Sequence, residues 1–298
     1  MIIVSGPTGS GKSTTLYAML TKARSSERNI ITVEDPVERR IEMVTQVQVN
    51  EKAGLTFASA LRSMMRHDPD VIMVGEIRDQ ETAQLAVRAA LTGHLVLSTI
   101  HTNDAPGVAT RLINMNVEPF LVASSLGGVI AQRLVRCICA ECKEAFTIPD
   151  GLRRRLATAN VALPQNAWFG NGCKHCHETG YRGRIAVFEM MGITPELTDL
   201  IVANVPTTNI REQALKDGMT SILEDGLEKA GRGVTTIEEV LRISVLENVA
   251  DMVLAEMPAP EKKEETKEAE TPKESAEAIS LDLEDYKNRM TNWLASKT

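Results

Sequence analysis

Residues 2–14 read Ile2-Ile3-Val4-Ser5-Gly6-Pro7-Thr8-Gly9-Ser10-Gly11-Lys12-Ser13-Thr14, an apolar strand running straight into a glycine-rich turn with the spacing G-x4-G-K-S. Glycines at these positions let successive backbone N–H groups turn inward around the β- and γ-phosphates of a nucleoside triphosphate. Lys12 supplies a point charge, and the Ser13 hydroxyl is placed to ligate Mg²⁺. The expected nucleotide-binding set is therefore Gly6, Pro7, Thr8, Gly9, Ser10, Gly11, Lys12, Ser13 and Thr14. Leu16, Met19, Leu20 and Ala23 follow at helical spacing, which puts the phosphates at a helix N-terminus.

Working outward, strand and helix patterns alternate to about residue 130. Ile30–Val33, Val71–Val74 and Leu95–Ile100 read as buried strands, and Phe57, Leu61, Met64 and Met65 as a helical stripe. Asp79 is placed to cap a helix through Leu85, Ala86, Ala89 and Ala90 that ends at Gly93. The class is α/β with a mostly parallel sheet. In such sheets ligands sit beyond the carboxyl ends of the strands, and each of these strands ends in charge: Glu34-Asp35, Gly75-Glu76-Ile77-Arg78 and His101-Thr102-Asn103-Asp104. Phosphoryl transfer to water needs a group to position the attacking water and cations to neutralise the phosphoryl. Glu76, preceded by four apolar residues and a glycine in the form of a Walker B strand, is the expected catalytic base. It is expected to face the same γ-phosphate as Lys12 from an adjacent strand tip. Glu34 either orders Mg²⁺-bound water or caps the turn before Pro36. His101 is a candidate sensor of the γ-phosphate, and His94, at the opposite end of that strand, reads equally as a structural histidine. Arg62, Arg66 and Arg78 are candidate phosphate or interface contacts.

The chain has 298 residues, 43% hydrophobic and 24% charged, with a net charge of −7. That composition suits a globular protein with a packed core, and the acidity disfavours a broad nucleic-acid surface. No stretch approaches the roughly 20 apolar residues of a membrane span, so the expected location is the cytoplasm. Five cysteines lie between 137 and 176, in a compartment that disfavours disulfides. Cys139-Ala-Glu-Cys142 and Cys173-Lys-His-Cys176 form two C-x2-C pairs resembling a zinc ribbon: four thiolates around a structural Zn²⁺ with no position left for water. A redox role for one pair is the alternative, and it leaves the other pair unexplained. Cys137 falls outside the spacing, and His175 and His177 are unnecessary as ligands.

Beyond this loop-rich segment and a return strand at Ile185–Phe188, short helices follow to about residue 245, with boundaries at Thr194-Pro195, Thr208, Gly218 and Gly231-Arg232-Gly233. Residues 258–280 hold seven Glu, four Lys and three Pro and read as disordered linker. Asp282 then precedes Leu283, Tyr286, Met290, Trp293 and Leu294 on one helical face, either a docking helix or one that packs back or frays.

Several of these stretches together resemble the secretion and pilus-assembly ATPases of type II secretion and type IV pili, the GspE and PilB family. They are Met1–Leu20, Thr32-Val-Glu-Asp-Pro-Val-Glu38, Leu61–Asp79, Leu91–Asp104, Gln132-Arg-Leu-Val135 and both cysteine pairs. The resemblance covers residues 1 to about 245. It implies a RecA-like hexameric motor that acts on an inner-membrane platform protein so that pilin or pseudopilin subunits enter a filament. Membrane contact would then come only through partners, and nucleic acid would not be one. In the family's terms Glu34 and Asp35 fall in the Asp box, Glu76 in the Walker B box, and His94 and His101 in the His box. The tetracysteine segment is typical of the assembly branch and missing from the retraction branch, which implies extension.

The expected organisation is a RecA-like core (1–136), a zinc-binding tetracysteine segment with its return strand (137–190), a C-terminal helical subdomain (191–257), an acidic linker (258–280) and an amphipathic terminal helix (281–298). The family carries N-terminal domains ahead of the strand that starts here at Met1, including one that supplies cations to the nucleotide. Their absence implies a split gene, an internal start or a fragment, and weak turnover by this polypeptide alone. The alternative reading is a nucleotide-binding but weakly active assembly or regulatory module. A RecA-type nucleic-acid translocase is disfavoured by the acidity and the scarcity of aromatic residues. An ABC-type ATPase is disfavoured because no Leu-Ser-Gly-Gly-Gln-like signature lies between the loop and Glu76.

Overall fold

The computed structural model describes residues 1–148, 150, 153, 154 and 163–244. The linker and terminal helix expected at 258–298, and the end of the helical segment expected at 245–257, lie outside the described residues.

Four short apolar runs have no polar face to present to water and form strands buried on both sides. They are β1 (Ile2–Ser5), β2 (Ile30–Glu34), β4 (Val71–Val74) and β5 (Leu95–Ile100), in which only Leu95 is exposed. With β3 (Thr45–Gln48), β6 (Gly128–Ile138) and β9 (Tyr181–Gly192) they make a seven-stranded sheet in the order β3-β2-β4-β5-β1-β6-β9. The pairs β1–β5, β1–β6, β2–β3, β2–β4 and β4–β5 are all parallel, with Val4 beside both Thr99 and Ile130. The α/β, mostly parallel class read from the sequence is the class observed.

Helices supply the crossovers: α1 (Lys12–Ala23), α2 (Phe57–Met64), α3 (Gln80–Leu91), α4 (Gly107–Asn114) and α5 (Pro119–Ser125). Their starts are written in the sequence. Thr56 and Ser59 form a reciprocal capping box on α2, and the Asp79 carboxylate accepts from Thr82 N to open α3. Gly93 sits just past the end of α3 with φ 99°, as expected of a C′ glycine. Leu16, Leu20, Leu61, Ile72 and Leu97 are among the fully buried side chains of the core.

The described residues of the cysteine segment include strands that its sequence does not suggest. β7 (Lys143–Phe146) and β8 (Ala167–Gly170) pair antiparallel as a separate two-stranded sheet, and the return strand β9 runs twelve residues rather than the four expected at Ile185–Phe188. Just before it, Gly180 packs against the end of β8. A Cβ on Gly170 would lie 2.0 Å from the Gly180 carbonyl oxygen, so no other residue fits there.

Four helices follow among the described residues: α6 (Pro195–Val202), α7 (Thr207–Lys216), α8 (Ile222–Gly231) and α9 (Ile237–Ile243). Thr194 caps α6 with Pro195 at its first turn, and α7 begins at Thr207, one residue before the expected boundary. The chain forms two compact units, one of residues 1–134 and 186–225 and the other of 135–185 and 226 onward. This division cuts through the helical segment rather than around it, because α6 and α7 belong with the sheet-bearing unit while α9 belongs with the cysteines.

Candidate functional site

The turn after β1 has the conformation its glycines require. Gly6 takes φ 143°, and a Cβ there would lie 2.4 Å from the Gln132 carbonyl oxygen and 2.6 Å from Ser10 Oγ. Ser10 Oγ is buried and has no hydrogen-bond partner among the described residues. Lys12 Nζ donates to the carbonyls of Gly6 and Pro7, both at 2.9 Å. Burial lowers its pKa, the Glu76 carboxylate offsets part of that, and Arg133 adds to it.

One residue that the motif does not contain shapes the loop. Gln132, on β6 and 2% exposed, accepts from Thr15 Oγ1 at 2.6 Å and donates from Nε2 to the Ser10 carbonyl at 2.7 Å. It thus ties the loop to the first turn of α1 from the neighbouring strand. Arg133, next along β6, donates to the backbone carbonyl and side-chain oxygen of Asn103, both at 3.3 Å. Burial lowers the Arg133 pKa while Asp104 and Glu189 pull it up. It acts on Lys12 as a second cation beside the phosphate loop. The resemblance includes Gln132-Arg-Leu-Val135 as a matching stretch, but a strand pattern assigns neither residue a role, because their partners lie far off along the chain.

Glu76 follows β4 and is 15% exposed. It pairs with Arg78, and its other oxygen lies 3.7 Å from His101 Nε2. The expectation of adjacent strand tips is corrected: β5 lies between β4 and β1, so Glu76 and Lys12 approach from strands two apart with His101 emerging between them. A crossover topology of this kind is not encoded in any local pattern. Gly6 and Pro7 with His101, Thr102 and Asn103 line a recess of about 160 Å³. Whole-ligand pockets run to roughly 300–1,000 Å³, so this recess suits the phosphate end of a nucleotide.

Glu34 is placed differently from its catalytic expectation. It is 4% exposed, and its carboxylate accepts from Tyr17 Oη, from Thr32 Oγ1 at 2.5 Å and from Gln46 Nε2 at 2.9 Å. Burial and this carboxylate push the Tyr17 phenol up to about 12. The acid that reaches the loop is Glu38, whose Oε1 accepts from Ser13 Oγ at 3.0 Å. Octahedral Mg²⁺ with bonds of 2.0–2.1 Å sets neighbouring oxygens about 2.9 Å apart, so the separation that this hydrogen bond sets is also compatible with both oxygens ligating one such ion. Glu38 lies inside the Thr32–Glu38 stretch, but its turn after Pro36 gives no periodicity from which to aim it.

Thr8, Gly9, Gly11 and Thr14 complete the turn and the start of α1, with Gly11 left-handed at the helix cap. His94 Nδ1 lies 2.8 Å from the Ala89 carbonyl and 3.0 Å from Thr92 Oγ1, a satisfied histidine at the far end of β5. Arg62 pairs with Glu81, and Arg66 donates to the Arg62 carbonyl.

In the other unit the four thiols of Cys139, Cys142, Cys173 and Cys176 lie within 4.8 Å of one another. The Cys139–Cys173 and Cys142–Cys176 sulfurs are 3.8 Å apart and the Cys173–Cys176 sulfurs 3.7 Å. A tetrahedral ion with 2.3 Å metal–sulfur bonds requires about 3.8 Å, so the donor set fits Zn²⁺. Burial opposes a Cys176 thiolate, but N–H groups of Cys173 and Gly180, each 3.2 Å away, outweigh it and bring the pKa to about 6. Burial pushes the Cys142 thiol up. Cys137, His175 and His177 are not in the cluster.

The profile of a family described as type II/IV secretion system protein matches residues 1–242. The type II secretion system ATPase E of Vibrio cholerae is 50% identical over 244 residues, covering 82% of this chain and 48% of that protein. The type IV pilus assembly ATPase PilB of Myxococcus xanthus is 47% identical over 245 residues, covering 81% of this chain and 43% of that protein. The crystal structure of the pilus retraction motor PilT with bound ADP matches with a TM-score of 0.61 at 29% identity, covering 82% of this chain and 61% of that one. The chain thus spans about half the length of the two relatives.

Proposed function

Since the chain belongs to the type II/IV secretion system protein family, we propose that it is the ATP-hydrolysing part of a motor that powers assembly of a type IV pilus or a type II secretion pseudopilus. The observation that carries this reading is that Lys12 lies in the field of Glu76 and Arg133, and that Glu76 lies 3.7 Å from His101, which lines the recess beside the phosphate loop. Lys12 and Arg133 neutralise the terminal phosphates. Glu76, held by Arg78, orients the attacking water and takes its proton. Ser13 and Glu38 would hold Mg²⁺, which would supply charge neutralisation at the phosphates. His101, across from Glu76, senses whether the γ-phosphate is present. Glu34 acts at one remove, fixing Tyr17, whose hydroxyl accepts from the Glu38 amide at 3.1 Å.

Extension rather than retraction is supported by the tetracysteine cluster, taken as a structural zinc site, and by identities of 50% and 47% to a named secretion ATPase and a named pilus-assembly ATPase. By the same resemblance the working form is a hexameric ring in the cytoplasm, docked on an inner-membrane platform protein. Among the described residues no helix is long and apolar enough to cross a membrane.

A second reading, a nucleotide-binding module with weak turnover, is favoured by the size of the recess, about 160 Å³, which is below the range of whole-ligand pockets. Measuring Mg-ATP binding and phosphate release by the purified chain separates the two. The motor reading expects Lys12→Ala to abolish binding and Glu76→Gln to abolish release while retaining binding. Unaltered phosphate release by both variants would refute it.

A further inference from the structure

The segment that lines the recess, His101 to Ala105, is held by more partners than a loop of its length needs. Asp104 Oδ1 accepts from Gly107 N at 2.9 Å, and its backbone carbonyl accepts from Thr102 Oγ1 at 2.9 Å, which closes the turn on itself. Arg133 on β6 holds Asn103. From β9, Glu189, 2% exposed, accepts from the Ala105 amide at 2.8 Å. Arg211 on α7 reaches both acids, donating from Nη2 to Asp104 Oδ2 at 2.6 Å and from Nη1 to Glu189 Oε2 at 3.4 Å. A planar guanidinium bridging two carboxylates fixes their separation in a way a lysine ammonium does not. Arg133 sits in the field of both acids as well, so two arginines and two carboxylates form one neutral cluster. Finally, Thr110 on α4 and Thr207 at the start of α7 meet at 2.9 Å between hydroxyls, a second tie between α7 and the chain that continues from this loop.

None of these residues belongs to the phosphate motif, and a surface ion pair would not need a buried Glu189 at its centre. A buried carboxylate is costly unless paired, so Glu189 and Arg211 hold one another in place. Three recess-lining residues, His101, Thr102 and Asn103, are carried by this loop, and they face the phosphate end where Lys12 rests on the Gly6 and Pro7 carbonyls. We infer that Arg211 is a positioning residue that, through Asp104 and Glu189, sets the γ-phosphate-facing loop 101–105 and couples its position to α7. The inference rests on the nucleotide reading of the recess. It adds a route by which loss of the γ-phosphate is transmitted to a helix that contributes no group to the site.

The test compares binding of a non-hydrolysable ATP analogue and of ADP, each with Mg²⁺, by the full chain and by Arg211→Gln, alongside hydrogen exchange of the loop and of α7. Wild type is expected to prefer the triphosphate and to slow exchange in both segments when it binds. Since ångström-scale misplacement of a site group costs up to about a hundredfold, Arg211→Gln is expected to weaken triphosphate binding by about tenfold with ADP binding little changed. It is also expected to uncouple α7 exchange from nucleotide. Arg211→Lys, retaining charge but not the two-armed geometry, should recover only part of the preference. Should Arg211→Gln not fold, Asp104→Asn gives the same reading, because its remaining carbonyl oxygen still accepts from Gly107. Unchanged triphosphate preference and intact coupling in the variants overturn the inference, as does an equal loss for both nucleotides. Failure of wild type to bind either nucleotide overturns instead the reading of the recess on which the inference stands.

Discussion

Replacing Gln132 by leucine tests whether the phosphate loop is shaped by the sheet rather than by its own glycines. The side chains are similar in volume, so packing is largely kept, while both buried hydrogen bonds are lost. Thr15 Oγ1 loses an acceptor at 2.6 Å and the Ser10 carbonyl loses a donor at 2.7 Å, at a residue 2% exposed that water does not reach. Each orphaned partner costs about 1–3 kcal/mol. Set against the easier desolvation of leucine, the net loss comes to about 2–4 kcal/mol. For a protein of this size that lowers the melting temperature by about 5–15 °C. The assay pairs thermal unfolding with Mg-ATP titration well below the melting temperature, where the folded fraction is still near one. Weaker nucleotide binding is expected there too, because the freed Ser10 carbonyl is no longer drawn toward β6 and the loop amides lose their common aim. A melting temperature within about 1 °C of wild type would refute the energetic argument. A large fall in stability with full nucleotide affinity would refute the claim that Gln132 shapes the loop.

Glu76→Gln should retain nucleotide binding and lower phosphate release by about 10²–10⁴-fold, the range for loss of a general base; a residual rate near wild type sinks that assignment. Glu38→Ala is expected to raise the Mg²⁺ concentration needed for nucleotide binding by about 10-fold or more, as for other groups around a metal, and an unchanged Mg²⁺ midpoint would place the ion elsewhere. The purified chain should carry one zinc per molecule; because such sites contribute roughly 10–16 kcal/mol in apparent terms, chelation should expose the amides of β7 and β8 to exchange, and a zinc-free chain with the same protection would contradict it. Glu238 and Glu239 should respond to pH with opposite signs. Burial opposes the Glu239 carboxylate, but the Arg136 side chain and amide outweigh it and hold its pKa below 4.5, so its stabilisation is complete above 4.5 and lost as pH falls through the lower native value. Burial and its neighbour Glu239 raise Glu238 against the pull of Arg242, so its charge costs stability at neutral pH. Glu239→Gln should therefore destabilise at pH 7 and Glu238→Gln should not; equal losses from both in urea titrations at pH 7 would refute the assignment of signs.

The fold was legible because its signals are local. Four apolar runs too short for helices, a glycine spacing that only a phosphate turn explains, and caps at Asp79 and Gly93 each act within a few residues of themselves. The thiol cluster was legible for the same reason, since two C-x2-C pairs need only be brought together once. The acid that meets Ser13 was not: Glu34 and Glu38 stand four residues apart around a turn, and which one reaches the loop depends on Tyr17, Thr32 and Gln46 claiming the first.

By itself, then, the sequence determined the class of fold, the phosphate loop, the Glu76 strand end and the four-thiol set, because each is specified by spacing along the chain. Only the tertiary structure decided that β5 separates β4 from β1, that Gln132 and Arg133 serve the loop from β6, and that Arg211 reaches Asp104 and Glu189 from more than a hundred and from twenty-two residues away. Those are pairings between distant segments, fixed by how buried charges and buried donors find partners once the sheet has formed. No window of neighbouring residues contains both halves of such a pair.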